Sequence, residues 1–238
     1  MSGHSKWATI KRAKGVTDAK RSQVFTKMAK LITVAAKGGG DPSMNFKLRL
    51  AIDRAREANM PKDNIDRAIK RGAGGGDGAQ VEEITYEAYG PGSVAMLIQT
   101  LTDNKNRTHS NLRHVLSLAG GRLAEAGSVA WLFEPKGVVA LKAPTAGRDE
   151  FELALIEAGA TDINEHDDEL MVVVEPKNLE PIKALLTQRG ITPTYADVEM
   201  VAKTTVAVAD ATVAAKLNEL REALEADDDV TNTYDNEA

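Results

Sequence analysis

The chain contains no cysteine. That excludes disulfides and thiolate metal sites, and it fits a reducing compartment. Aromatic residues make up only 4% of the 238 residues, so any core must be built from aliphatic side chains and alanine. No apolar run approaches the roughly 20 residues that span a bilayer. The N-terminus has cations but no apolar stretch behind them, unlike a secretory signal. Its richness in Lys, Arg and Ser and its poverty in acid are shared with mitochondrial transit peptides.

Catalytic signatures are missing too. There is no phosphate-cradling G-x-x-x-x-G-K followed by Ser or Thr, no G-x-S-x-G and no H-E-x-x-H. His109 and His114 are five apart, off the i, i+4 spacing that brings two imidazoles to one helical face. With no cysteine either, no metal site is expected. Asp167-Asp168-Glu169 is a run of neighbouring carboxylates in a polar turn, which reads as a hairpin tip and not as a differently tuned acid/base pair. The chain is therefore not expected to be an enzyme.

What is present is a division of charge. Residues 1–72 carry 17 Lys and Arg against six acids, a net +11, and the remainder carries 13 against 29, a net −16. Such asymmetry suggests a basic module joined to acidic ones, with nucleic acid as the partner of the basic part.

The basic third reads as helical. Val24, Met28, Leu31, Ile32 and Ala35 form one apolar stripe. Gly38-Gly39-Gly40 and Asp41-Pro42 end that helix. Met44, Leu48, Ala51, Ile52 and Ala55 form a second stripe. Pro61 opens a third helix, with Ile65, Ala68 and Ile69 inward and Gly72 as its C-cap. Three short amphipathic helices make a small bundle, and AGGGDGAQ (73–80) is a linker by composition.

After residue 80 strands appear. Two flank a Gly90-Pro91-Gly92 turn, and Thr108 is read as the cap of a helix carrying Leu112, Val115 and Leu116 inward. Val129–Phe133, with Trp131 in it, reads as a core strand, and Pro135-Lys136-Gly137 as a turn into the strand Val138–Leu141. From there the order is β-α-β-β-α-β, the ferredoxin-like arrangement. A last helix (Val213, Leu217, Leu220, Leu224) and a strand near Val230–Tyr234 have no partner in that unit. They are expected to complete the middle region.

The expected fold class is thus α+β: an N-terminal three-helix basic domain followed by two α/β domains, one ferredoxin-like and inserted in the other. The expected boundaries are 1–80 for the basic domain and linker, 81–134 plus 205–238 for one α/β domain, and 135–204 for the ferredoxin-like one. The acidic stretch Glu225–Asp229 opposes the macrodipole of the last helix. It reads as the helix stop, and secondarily as a competitor for the partners of the basic domain.

Candidate nucleic-acid contacts are Lys6, Trp7, Lys11, Arg12, Lys14, Lys20, Arg21, Lys27, Lys30, Lys47, Arg49, Arg54 and Arg56. Lys20, Lys27 and Lys30, and likewise Lys47, Arg49, Arg54 and Arg56, avoid the apolar stripes of their helices, so they can share an outer surface. Cations near phosphates release counterions and give salt-sensitive affinity, and Arg grips phosphate with a planar fork. Trp7 lies among cations in a stretch without amphipathic period, where it can stack on an unpaired base or cap the bundle. LTDNKNRT (101–108) is a second surface: it opens a helix, where backbone N–H groups, Lys105 and Arg107 can meet an anion.

These stretches carry a resemblance. GHSKW (3–7), FTK (25–27), GGGDP (38–42), LRLAIDRAREANMPKDNIDRAIKRG (48–72), YEAYGPG (86–92), LTDNKNRT and GSVAWLF (127–133) occur in order, and together they resemble the YebC family of transcriptional regulators from end to end. The chain departs from that pattern at Gly15-Val16, where a polar or basic pair is usual, and at the less basic Ser22-Gln23. The resemblance implies three domains, a cytoplasmic bacterial protein, DNA binding, no cofactor, no membrane and no small-molecule substrate. It also implies a second reading, since eukaryotic relatives are mitochondrial translational activators and bacterial ones are linked to ribosome function. No zinc ligands, basic zipper or recognition-helix signature is present. Binding dominated by the phosphate backbone is expected, on DNA or on RNA within the ribosome. Nothing in the sequence fixes an oligomeric state.

Overall fold

Three helices come first: α1 (Asp18–Ala36), α2 (Phe46–Glu57) and α3 (Lys62–Gly72). The computed structural model describes residues 18–74, 81–144, 147–166 and 169–238. Glycine makes the break after α1, with Gly39 at φ = 127°, a region closed to most L-residues. Asn45 then serves both helices. Its Oδ1 accepts from the Leu48 N–H as the cap of α2, while its Nδ2 donates to the carbonyls of Ala35 and Gly39. The bundle core is Ile32, Ala36, Leu48, Ala51, Ile52, Ala55, Met60, Ile65 and Ala68. Each buried Leu or Ile contributes about 1.5–3 kcal/mol. Met44 departs from the expected stripe and is 87% exposed.

Gly72 is not a C-cap. It is the last residue of α3, and Ala73 follows as the cap. A Cβ at Gly72 would sit 2.1 Å from the Thr33 carbonyl oxygen and 2.7 Å from the Ala36 Cβ. The missing side chain is what lets α3 touch α1. The Thr33 hydroxyl seals the contact from the other side, donating toward the carbonyls of Ala29 and Ala68.

The first sheet has the order β3-β1-β2-β8. Here β1 is Glu82–Tyr89, β2 is Ala95–Thr102, β3 is Arg122–Leu123 and β8 is Val230–Asp235. β1 and β2 form the expected hairpin about Gly90-Pro91-Gly92, where Gly92 has φ = 70°. Helix α4 (Lys105–Leu118) and helix α7 (Ala211–Glu225) cover one face. The core there joins Met96 and Ile98 to Leu112, Leu116, Leu217, Leu220 and Leu224. Arg221 clamps α7 to β8 through a buried two-pronged pair with Asp235, 2.8 Å on each arm.

Between β3 and α7 the chain builds a second unit. It holds β4 (Phe133–Lys142), α5 (Arg148–Glu157), β5 (Ala160–His166), β6 (Glu169–Val174), α6 (Leu179–Gln188) and β7 (Tyr195–Ala202). Its sheet order β5-β6-β4-β7, with antiparallel neighbours, is ferredoxin-like. Because α7 and β8 return to the first sheet, this unit is inserted in the other. The two sheets meet where Ala95, Leu97 and Tyr234 pack on Val129 and Phe133.

The segment entering β4 differs from its sequence expectation. Ala130–Leu132 is a 3-10 turn, and β4 runs unbroken through Pro135-Lys136-Gly137. β4 pairs with β7 from Phe133 onward but with β6 only from Gly137 onward. Pro135 therefore lies where the strand has one partner, a position that tolerates a missing N–H. Gly137 is small for packing: a Cβ there would come within 2.6 Å of Val174. Trp131 is not in the core. It is 65% exposed on a turn tied down by Glu87, whose carboxylate accepts from the N–H groups of Gly127, Val129 and Ala130 at 2.5–2.9 Å. Burial pushes the Glu87 carboxyl upward, but those donors outweigh it and hold it below the ordinary carboxylate value.

Candidate nucleic-acid interface

Of the candidate contacts, Lys6, Trp7, Lys11, Arg12 and Lys14 lie outside the described residues. Lys20 and Arg21 fall in the first turn of α1. The remaining cations separate by helix.

On α1, Lys27 and Lys30 face the protein. Lys27 Nζ donates to the Glu225 carbonyl at 2.6 Å, and Lys30 Nζ to the Asp228 carbonyl at 2.7 Å and the Asp229 carboxylate at 2.6 Å. Gln23 adds a bond to the Ala226 carbonyl. The C-terminus of α7 offers carbonyls without helical partners together with acids, and α1 supplies the cations. Burial lowers Lys27 from the ordinary lysine value, against the pull of Asp227, Asp228 and Glu225.

LTDNKNRT does meet an anion, and the anion is the protein's own. Asn104, not Thr108, caps α4, accepting from the Arg107 N–H at 3.1 Å. Thr108 is buried inside the helix, and its hydroxyl lies 2.7 Å from both Thr102 Oγ1 and Asp229 Oδ2. Arg107 reaches the same carboxylate at 2.8 and 2.9 Å. Asp229 thus joins α1, α4 and the α7–β8 turn. Burial pushes its carboxyl upward, but Lys30, Arg107 and Thr108 bring it down to about 2. Lys105 makes an exposed pair with Glu82.

On α2 the arrangement is open. Arg54 pairs with Asp197 of β7, while Lys47, Arg49 and Arg56 are exposed. Arg56 makes only a loose 3.3 Å pair with Asp53. At about 100° per residue, Phe46, Leu50 and the exposed Asp53 form the middle of the outward face, with Lys47 and Arg54 on one flank and Arg49 and Arg56 on the other. Phe46 is 66% and Leu50 39% exposed, beside the exposed Met44. The Arg49 guanidinium stands 5.9 Å from the Phe46 ring centroid. Exposed apolar residues between two cation rows were missed as candidates. The available signal was that Phe46 and Leu50 fall off the buried stripe of an otherwise well-patterned helix.

Among the described residues no cluster of His, Asp and Glu could hold a metal ion. No described helix is long and apolar enough to cross a membrane.

Comparison with known proteins gives a consistent result. A family model described as the TACO1/YebC protein N-terminal domain matches residues 5–75, and one described as the TACO1/YebC second and third domain matches residues 81–237. A "probable transcriptional regulatory protein" of Moorella thermoacetica is 50% identical over 239 residues, covering 99% of this chain and 95% of its own. Another, CT1665 of Chlorobaculum tepidum, is 49% identical, covering 99% and 94%. The crystal structure of the conserved hypothetical protein Aq1575 from Aquifex aeolicus superposes with a TM-score of 0.85 at 40% identity, covering 98% of this chain and 97% of that one.

Proposed function

The chain belongs to the TACO1/YebC family, and from that premise we propose that it is a nucleic-acid-binding regulator of gene expression: a transcriptional regulator, as the names of its relatives have it, and one that acts by binding DNA. It works without catalysis or a cofactor, in the cytoplasm. The observation that carries this reading is the outer face of α2, where Lys47, Arg49 and Arg56 are exposed within a module of net +11. Each phosphate neutralised adds about 0.9 to the salt slope on duplex DNA, so these three cations account for roughly −3 in that slope. Contacts from these cations to phosphates position the protein on a backbone.

A second reading, a translation factor acting on RNA within the ribosome, draws on one specific feature. The Phe46–Leu50 strip between cation rows suits unpaired bases, since stacking contributes about 1–3 kcal/mol per base whatever its identity. The two readings separate in one experiment, in which the full chain is titrated against duplex promoter DNA and against single-stranded RNA at several salt concentrations. The transcriptional reading expects tight, sequence-preferring duplex binding at physiological salt. The translational one expects stronger RNA binding and salt-labile comigration with ribosomes in a gradient. Absence of binding to any of these defeats both.

A further inference from the structure

Beyond residue 72 the chain is acidic overall, and one acid-free run stands out as the longest. Residues 104–124 contain no Asp or Glu at all. This stretch holds Lys105, Arg107, Arg113 and Arg122, four of the 13 Lys and Arg found after residue 72, together with His109 and His114. It is essentially helix α4. Leu112 and Leu116 are fully buried against the first sheet, which leaves the remaining flank free to face solvent. His109, Ser110, Arg113, His114 and Ser117 follow the spacing i, i+1, i+4, i+5, i+8. All five are exposed, and they line a shallow depression of about 370 Å³. The Tyr86 ring lies beside His109, their centroids 6.3 Å apart.

We propose that this flank of α4 is a second nucleic-acid contact, one that takes the phosphate backbone of the same DNA or RNA strand bound by the N-terminal module. Three observations select that partner. The flank is built from an Arg, two imidazoles and two hydroxyls, groups able to donate to phosphate oxygens. It has no apolar anchor at its centre, of the kind a protein interface places there; the exposed Leu118, four residues after His114, lies at its edge. It is also long: the eight steps from His109 to Ser117 rise about 12 Å. That is more than a single phosphate group needs, and it matches a run of backbone charges spaced at about 1.7 Å along a duplex axis. Asp229 fixes the arrangement, because one carboxylate holds both Lys30 of α1 and Arg107 at the start of α4. The helical module and the α4 flank are thereby parts of one frame.

The inference rests on the nucleic-acid reading, and the test separates the two. The full chain and its Arg113→Gln and His109→Gln/His114→Gln variants are titrated by fluorescence anisotropy with a labelled 20-nucleotide RNA and a labelled 20-base-pair DNA, from about 50 to 200 mM salt. Lys47→Gln serves as the comparison variant. The replaced side chains are exposed, so the thermal unfolding midpoint is expected to stay put. Arg113→Gln is expected to weaken binding about fivefold and to flatten the salt slope by about 1 on whichever probe is bound. If Lys47→Gln weakens binding while the α4 variants change neither affinity nor slope, the inference is overturned and the family reading stands. If the unaltered chain binds neither probe, the nucleic-acid reading itself falls and takes this inference with it.

Discussion

Helices α1 and α2 look alike on paper. Each carries four Lys or Arg, and all but Arg21 avoid the apolar stripe of their helix. In the folded chain they differ. Lys27 and Lys30 of α1 are turned to the carbonyls and the Asp229 carboxylate at the end of α7, whereas Lys47, Arg49 and Arg56 of α2 are exposed. A cation off the core face can be a ligand contact or an internal tie, and its own helix does not say which. The opposing surface decides, here an α7 C-terminus crowded with acids. Three aspartates against a macrodipole are unfavourable unless cations arrive from elsewhere, and α1 brings them.

The largest perturbation of this comparison removes the bundle that presents both helices. Gly72→Val should cost more than about 3 kcal/mol, because the new side chain collides with the α1 backbone and cannot rotate away. A two-step thermal melt, with loss of the helical signal first, is the expected readout. An unchanged melt would mean that α3 does not rely on the close approach to α1.

Next in size is the tie itself. Asp229→Asn leaves Lys30 and Arg107 without their carboxylate and should destabilise by about 2 kcal/mol, the scale of a hydrogen bond to a charged group. The pH dependence has a definite sign. In the fold this carboxyl sits at about 2, below its ordinary 3.8, so the folded state binds the proton later than the unfolded one. Its stabilisation is complete above about pH 4 and fades as the pH falls toward 2. The difference in stability between the unaltered chain and Asp229→Asn should therefore shrink across that window in acid titrations followed by circular dichroism. A constant gap would remove Asp229 from the account.

Much of the fold was legible beforehand, for reasons that can be named. The ferredoxin-like order follows from apolar runs punctuated by Gly159 and Gly190, which do adopt positive φ at 103° and 69°. The return of the last helix and strand followed from a stripe with nothing else to cover. Local signals failed where tertiary contact overrode them. Gly72 and Gly137 resemble punctuation but are small because another element needs their space. Thr108 resembles a cap but is buried to reach Asp229. Trp131 resembles core but is held outward by a turn that the distant Glu87 organises. At the candidate site, the basic character of the module was visible. The partition of its cations was not, since it depends on a turn some two hundred residues away.

The smallest effect is the most discriminating. Lys30→Gln and Lys47→Gln remove one charge each from the same module, and a description by net charge alone predicts identical results. The structure predicts a crossing. Lys30→Gln loses two internal bonds, one to a carboxylate, and should lower stability by about 1–2 kcal/mol. Its nucleic-acid affinity should hardly change, because that ammonium is already engaged. Lys47 is exposed, so Lys47→Gln should leave stability within about 0.5 kcal/mol and weaken binding a few-fold, flattening the salt slope by about 1. Melting curves and salt-dependent titrations of the two variants side by side measure both axes. If both variants lose affinity equally while only Lys30→Gln loses stability, Lys30 leaves Asp229 for phosphate when nucleic acid binds. The Asp229 contact would then act as a competitor that nucleic acid displaces.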